Sequence, residues 1–445
     1  MTGSSARRAV RGPTLTFVDD PFRVAGPACV RHEPDALVVM EAGRIVDVGP
    51  YGEVAARTAG DMPIDVWPDA LIVPGFIDAH VHYPQTPIIG SWGARLIDWL
   101  ERYTFPAEQR YADPGVASEA ARVFLRECLR AGTTTAAVFC TVHPQSVDAF
   151  FEEAQRLGTR MIAGKVLMDR NAPEPLRDTA RSGYDESKAL IGRWHRRGRL
   201  GYAITPRFAA TSSPEQLEAA GALRREFPDT LVQSHVSENP AEVAWVRSLF
   251  PDCSGYLDVY DRYGLLGPGA IYGHGVHLTE AELARCHETG TAIAHCPTSN
   301  LFLGSGCLDV GRVARADRPV RVALATDLGA GTSFSALQTM NEAYKVSQLA
   351  GGALDVWQAW WMATRGGARA LGLDGVVGSI ERGVEADLVV LDLESTPVID
   401  YRMRHCGSLE EALFVQMTMG DDRAIRATYV AGKRVYDRDA ATAAD

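Results

Sequence analysis

Two histidines separated by a single residue, His80 and His82 in the run PGFIDAHVH, are the first side chains in the chain with the spacing to do chemistry. A period-two spacing points both imidazoles to the same side of an extended strand. By itself an H-x-H pair is a weak signal, since core and surface histidines produce it too. It gains weight because His235 falls near the end of LVQSHV, His274 near the end of AIYGHG, and Asp327 at the end of RVALATD. Three imidazoles and a carboxylate drawn from this set are ligands that a borderline divalent ion such as zinc accepts, with room left for a water. Glu238 lies three residues beyond His235 in QSHVSEN, in the loop where a carboxylate can face that water as a general acid and base. Standing alone, S-E-N would read as a helix cap or a solvated glutamate.

Such a set works only if separate elements bring it together. Eight apolar runs of strand length occur, at residues 71–78, 133–140, 161–168, 202–208, 231–236, 270–275, 291–296 and 321–327. Between them lie Ala-, Leu-, Glu- and Arg-rich segments such as 117–132 and 213–227, whose composition favours helix. Strands alternating with helices around a parallel sheet predict an α/β chain folded as a (β/α)8 TIM-like barrel. In that architecture catalytic groups come from the C-terminal strand ends, where these ligand-type residues sit. The two chain ends carry short β-rich runs broken by turns at Gly43 and Gly432, too short to bury a face alone. They are expected to fold together as a small composite β-sandwich domain, residues 1–70 plus 380–445, beside a barrel at 71–379. Residues 86–109 insert after the first strand, carry Trp92, Trp99, Tyr103 and Phe105, and have the composition of a lid.

The chain has 445 residues, enough for one barrel and a smaller domain. With 45 basic against 56 acidic residues, the formal charge of −11 gives no electrostatic source for binding nucleic acid. The eight cysteines are dispersed without a C-x-x-C pair, which suits reduced thiols. No apolar stretch of export-signal length follows Arg7 and Arg8, and no run reaches membrane-span length, so a cytoplasmic protein without membrane contact is expected.

In order along the chain, PGFIDAHVH, QSHVSEN, GHGVHL, AHCPTSNLFLGSG and ATDLGAGTSF resemble the amidohydrolase superfamily. Further blocks, DWLERYTFPAE, GKVLMDRNAP, ITPRFAATS and MGDDRAIRATYVAGKRV, are similar to its guanine deaminase family over nearly the whole chain. The resemblance implies that His80, His82, His235 and Asp327 hold one zinc ion per subunit, with iron as the other candidate. It assigns Glu238 as proton shuttle and His274 as the residue orienting the attacking water, and it implies a homodimer. The expected reaction is hydrolysis of guanine to xanthine and ammonia, with Glu238 moving a proton to a ring nitrogen and Asp327 taking the other. His235, Glu238 and Asp327 are then also substrate-binding.

Binuclear relatives use a carboxylated lysine at the fourth strand, which here ends in ITPRF; Lys165 lies inside the third and reads as structural. Gln85 has an amide that both donates and accepts at a purine edge, Arg207 a planar fork for a ring carbonyl, and Phe208 a face for stacking. Two alternatives stand beside this reading. One is an aminohydrolase acting on a triazine, pterin or adenine-type ring; the other is a silent barrel serving as a scaffold, against which the full set of ligand-type residues argues. The H-x-E with P-C-x-x-C signature of the other zinc deaminases is absent. His277, His295 and Cys296 lie near the same rim without an assigned role. Trp360 and Trp361 read as core, and His32, His195, His287 and His405 as surface.

Overall fold

The computed structural model describes residues 7–58, 61–93 and 95–441; residues 1–6 and 442–445, expected in the small domain, lie outside the described residues. Eight parallel strands run in sequence order around the barrel: Phe76–His82, Thr133–Phe139, Arg160–Gly164, Gly201–Pro206, Leu231–Val236, Ala270–His274, Ala292–His295 and Val322–Leu324. A short piece, Val166–Leu167, adds to the fourth strand. Between the first and eighth strands, the Asp327 backbone N–H donates to the His80 carbonyl at 3.0 Å. The Asp78 carboxylate is buried in this seam and accepts from both the backbone N–H (3.0 Å) and the hydroxyl of Thr326. The closure therefore fixes His80 against Asp327.

The helices form where capping and periodicity ask for them. Pro114–Arg130 starts at Asp113, whose carboxylate accepts from the Gly115 N–H at 2.7 Å, with Pro114 at the first turn. Its buried face, Ala117, Ala121, Phe124, Leu125 and Cys128, follows the three-to-four spacing and packs on the barrel.

The chain ends build one separate, mostly antiparallel sheet. Its order is Lys433–Asp437, Ile425–Val430, Leu388–Asp392, Ala70–Pro74, Arg8–Phe17, Val30–Glu41 and Arg44–Pro50, with Ile64–Val66 also pairing Arg8–Phe17. The apolar run at 71–78 is thus split, a correction to its reading as one barrel strand. Ala70–Pro74 pairs with Leu388–Asp392 in the small sheet, Gly75 carries the chain across, and the barrel strand begins at Phe76. Both halves are buried on all sides, so hydrophobicity alone does not mark the crossing.

A buried ion cluster pins this sheet to the barrel. Arg160 and Arg199, at the starts of the third and fourth strands, both bind Glu385, and Arg199 also binds Asp387. Arg199 donates from Nη1 to the Gly158 carbonyl at 2.8 Å, and Asp387 accepts from the Ala431 N–H at 2.8 Å.

Candidate metal centre and binding cleft

The C-terminal strand ends deliver their side chains to one point. His80, His235, His274 and Asp327 each bring a ligand atom within 4.8 Å of all the others. His82 joins them, its Nε2 3.1 Å from His235 Nε2 and 3.5 Å from Asp327 Oδ1, while His80 Nε2 stands 3.6 Å from Asp327 Oδ1. Bonds of about 2.0–2.2 Å in a tetrahedron put neighbouring ligand atoms about 3.3–3.6 Å apart. The His82–His235, His82–Asp327 and His80–Asp327 separations are close to that spacing. The nitrogens His80 Nε2 and His274 Nε2 are buried and have no hydrogen-bond partner. His235 Nδ1 lies 2.5 Å from the Arg207 carbonyl, so it carries the proton and leaves Nε2 with a free lone pair. Burial, with neighbouring imidazoles and Arg207 adding to it, holds His80, His82 and His235 well below the usual histidine range. Neutral imidazoles are the form that ligates a cation, so the donor set fits a divalent metal.

Packing and strain both serve this convergence. Gly273 lies beneath the His80 ring, where a Cβ would come within 2.6 Å of Cε1. His274 (φ 72°), Asp327 (φ 48°) and Ser237 (φ 49°) occupy the left-handed region, which non-glycine residues hold only where surrounding structure imposes it.

Beside the cluster sits a buried pair of titratable groups, Glu238 and His274. Glu238 is buried, accepts from the Ser305 hydroxyl at 3.1 Å, and faces His274 Nε2 at 3.5 Å. Burial pushes its carboxyl up to about 7, against the pull of His274. A group poised near neutrality can both take and deliver a proton. His274 is held by Asn300 Oδ1 at 2.8 Å. Burial disfavours its charged form, but the Glu238 carboxylate reverses that and holds it well above the usual range, unlike its three neighbours.

A cleft opens over these groups, lined by Gln85, Arg207 and Phe208 as well as His82, His235, Glu238, His274 and Asp327. Leu96, Trp99 and Leu100 line it from the 86–109 insertion. Trp92 of the same insertion is exposed. Gln85 fits because Gly329 has no side chain: a Cβ there would fall 2.1 Å from Gln85 Oε1.

Comparisons with known proteins establish the family. Residues 71–435 match the amidohydrolase family model. The chain belongs to the amidohydrolase family. Among curated relatives of this amidohydrolase, guanine deaminase of Escherichia coli (strain K12) is 49% identical over 442 residues, 99% of this chain and 100% of that protein. The solved structure of E. coli guanine deaminase superposes with a TM-score of 0.93 at 48% identity, covering 97% of this chain and 100% of that one. A guanine deaminase from C. acetobutylicum, solved with guanine bound in the active site, gives 0.86 at 28% identity over 97% of this chain and 100% of that one.

Several residues of this amidohydrolase site were not singled out from sequence. Glu242 accepts from the N–H groups of Glu238 (2.9 Å) and Asn239 (3.2 Å), and Tyr256 donates to it at 2.6 Å, so it fixes the loop that carries Glu238. The signal was present, because Asn239 and Glu242 form an N-x-x-E capping box. Glu108, which binds Arg207, and Asp78 at the barrel seam had no comparable local signature. His277 donates to the Ser305 carbonyl at 2.8 Å and so steadies the partner of Glu238. His295 is buried without a hydrogen-bond partner and is driven down to about 3 by burial. The Cys296 thiol is pushed up to about 11 by burial, which disarms it as a nucleophile. Lys165 is held by Asp178 and Glu186. Trp360 and Trp361 are core. His32, His287 and His405 are exposed, whereas His195 is half-buried, accepting from the Tyr202 N–H at 3.0 Å and bonding Asp229 at 2.9 Å.

Proposed function

We propose that the chain hydrolyses guanine to xanthine and ammonia. The observation that carries this reading is that Arg207, Gln85 and Phe208 line the same cleft as Glu238 and the imidazole–carboxylate cluster. The full-length similarity to E. coli guanine deaminase supports it. Hydrolysis adds water at carbon 2 and expels the amino group. In this reading the Glu238 carboxylate takes one proton from the water and passes it to the ring nitrogen beside carbon 2. Asp327 accepts the remaining proton and hands it to the amino group, whose bond to carbon 2 breaks as the carbonyl forms, so that it departs as ammonia. His274, tied to Asn300 and facing Glu238, orients the water. His80, His82, His235 and Asp327 would hold a single zinc ion, with iron as the other candidate, and such an ion supplies the acidity that makes water nucleophilic at neutral pH. Arg207 and Gln85 address the ring edge while Phe208 offers it a stacking face.

An ammonia-release screen of metal-replete protein over aminated purines, pterins and triazines tests the substrate, with guanine expected to be turned over best. A triazine or pterin preferred over guanine would replace this reading. Elemental analysis should find one divalent ion per chain, because Lys165 is engaged by two carboxylates and leaves no bridge for a second. Two tightly held ions needed for activity would overturn the mononuclear assignment.

Arg207→Met should cost about 1–3 kcal/mol in the specificity constant for guanine and leave that for adenine, which has no carbonyl, little changed. An unchanged preference for guanine would remove Arg207 as carbonyl reader. We further propose a cytoplasmic homodimer. Among the described residues no helix is long and apolar enough to cross a membrane, and all eight cysteines are free.

A further inference from the structure

Glu108 stands on the short helix Phe105–Gln109 in the insertion after the first strand, and its side chain is fully buried. One carboxylate oxygen accepts from Arg207 Nη1 at 2.7 Å; the other faces Gln85 Nε2 at 3.5 Å. Gln85 Oε1 is turned instead towards Gly329. A single carboxylate thus sets the direction of both side chains that address the ring edge. It leaves the rest of the guanidinium fork for a ligand. It also cancels the charge of Arg207 inside the cleft, where an uncompensated cation would be costly and would draw anions.

We infer that Glu108 is a positioning residue that fixes Arg207 and Gln85 and tunes the cleft to uncharged rather than anionic oxopurines. The inference rests on the proposed guanine hydrolysis, and the two fail separately. Absence of guanine turnover in the unaltered protein defeats that reading, whereas this one is judged by comparing variants of a working enzyme. Glu108→Gln keeps the shape and removes the charge. Metal-loaded E108Q should show a KM for guanine raised at least ~5-fold with kcat changed by less than ~3-fold, as loss of ground-state positioning predicts. The inhibition constant of urate, an anionic oxopurine at neutral pH, should fall at least ~3-fold because the unpaired guanidinium now attracts it. A loosened cleft would instead weaken guanine and urate together. That parallel rise, a loss confined to kcat, or any other pattern overturns the inference. Should E108Q fail to fold, the E108Q/R207M double variant, from which both buried charges are removed, is expected to fold and to show no gain in urate affinity. A double variant equally unable to fold would overturn the pairing.

Discussion

Glu238→Gln is expected to lower turnover by about 10²–10⁴-fold while leaving the metal content unchanged, the range that general acid–base catalysis contributes. The glutamine keeps the volume of the side chain and can still accept from the Ser305 hydroxyl, so the loop between His235 and Asn239 should hold its shape. The Glu242 clamp on the Glu238 and Asn239 N–H groups is untouched as well. What disappears is a carboxyl group that burial poises near neutrality in the cleft. Metal should remain because Glu238 faces His274 and Ser305, not the His82–His235 pair. Turnover close to that of the unaltered protein, with metal retained, would transfer the proton shuttle to another residue. Loss of metal would make Glu238 a ligand.

Arg199→Met should destabilise the protein by about 3–5 kcal/mol, the cost of leaving buried charges without a partner. Glu385 would keep Arg160, but Asp387, almost wholly buried, would lose its arginine. Equilibrium denaturant unfolding measures this, and a change under about 1 kcal/mol would show that the cluster behaves like an exposed pair. The pH dependence has a definite sign. Burial raises the Glu385 carboxyl, but the Arg160 hydrogen bond and the charges of Arg199 and Arg160 outweigh it and hold it below its ordinary value. A depressed carboxyl stabilises the fold above its unfolded pKa of about 4.3, and that stability is lost as pH falls through the folded value. Unaltered protein should therefore lose stability more steeply than R199M on acidification below about pH 4.

The barrel was legible because its strands and helices differ in period and composition, and burial on both faces leaves apolar runs such as Val322–Leu324. The small sheet was harder to read. Its central strand Arg8–Phe17 gives little signal, since Gly12 and Pro13 interrupt the pattern and the register shifts between Gly12 and Thr14. The switch of sheets at Gly75 is likewise silent: Ala70–Pro74 and Phe76–His82 are both buried throughout, and only partner choice separates them.

What the sequence alone determined is a set of candidate groups and the ends of the strands that carry them, because ligand chemistry and strand period are local properties. His80, His82, His235, Glu238, His274 and Asp327 could be named from runs of fewer than ten residues each. Only the tertiary structure decided how those groups are held. Asp78 sets the seam between residues 248 positions apart in sequence, and Glu108 meets Arg207 across 99. The left-handed backbone at His274 and Asp327 likewise persists only because neighbouring strands impose it. Contacts of this range depend on which strand ends up beside which, and no short window of sequence encodes them.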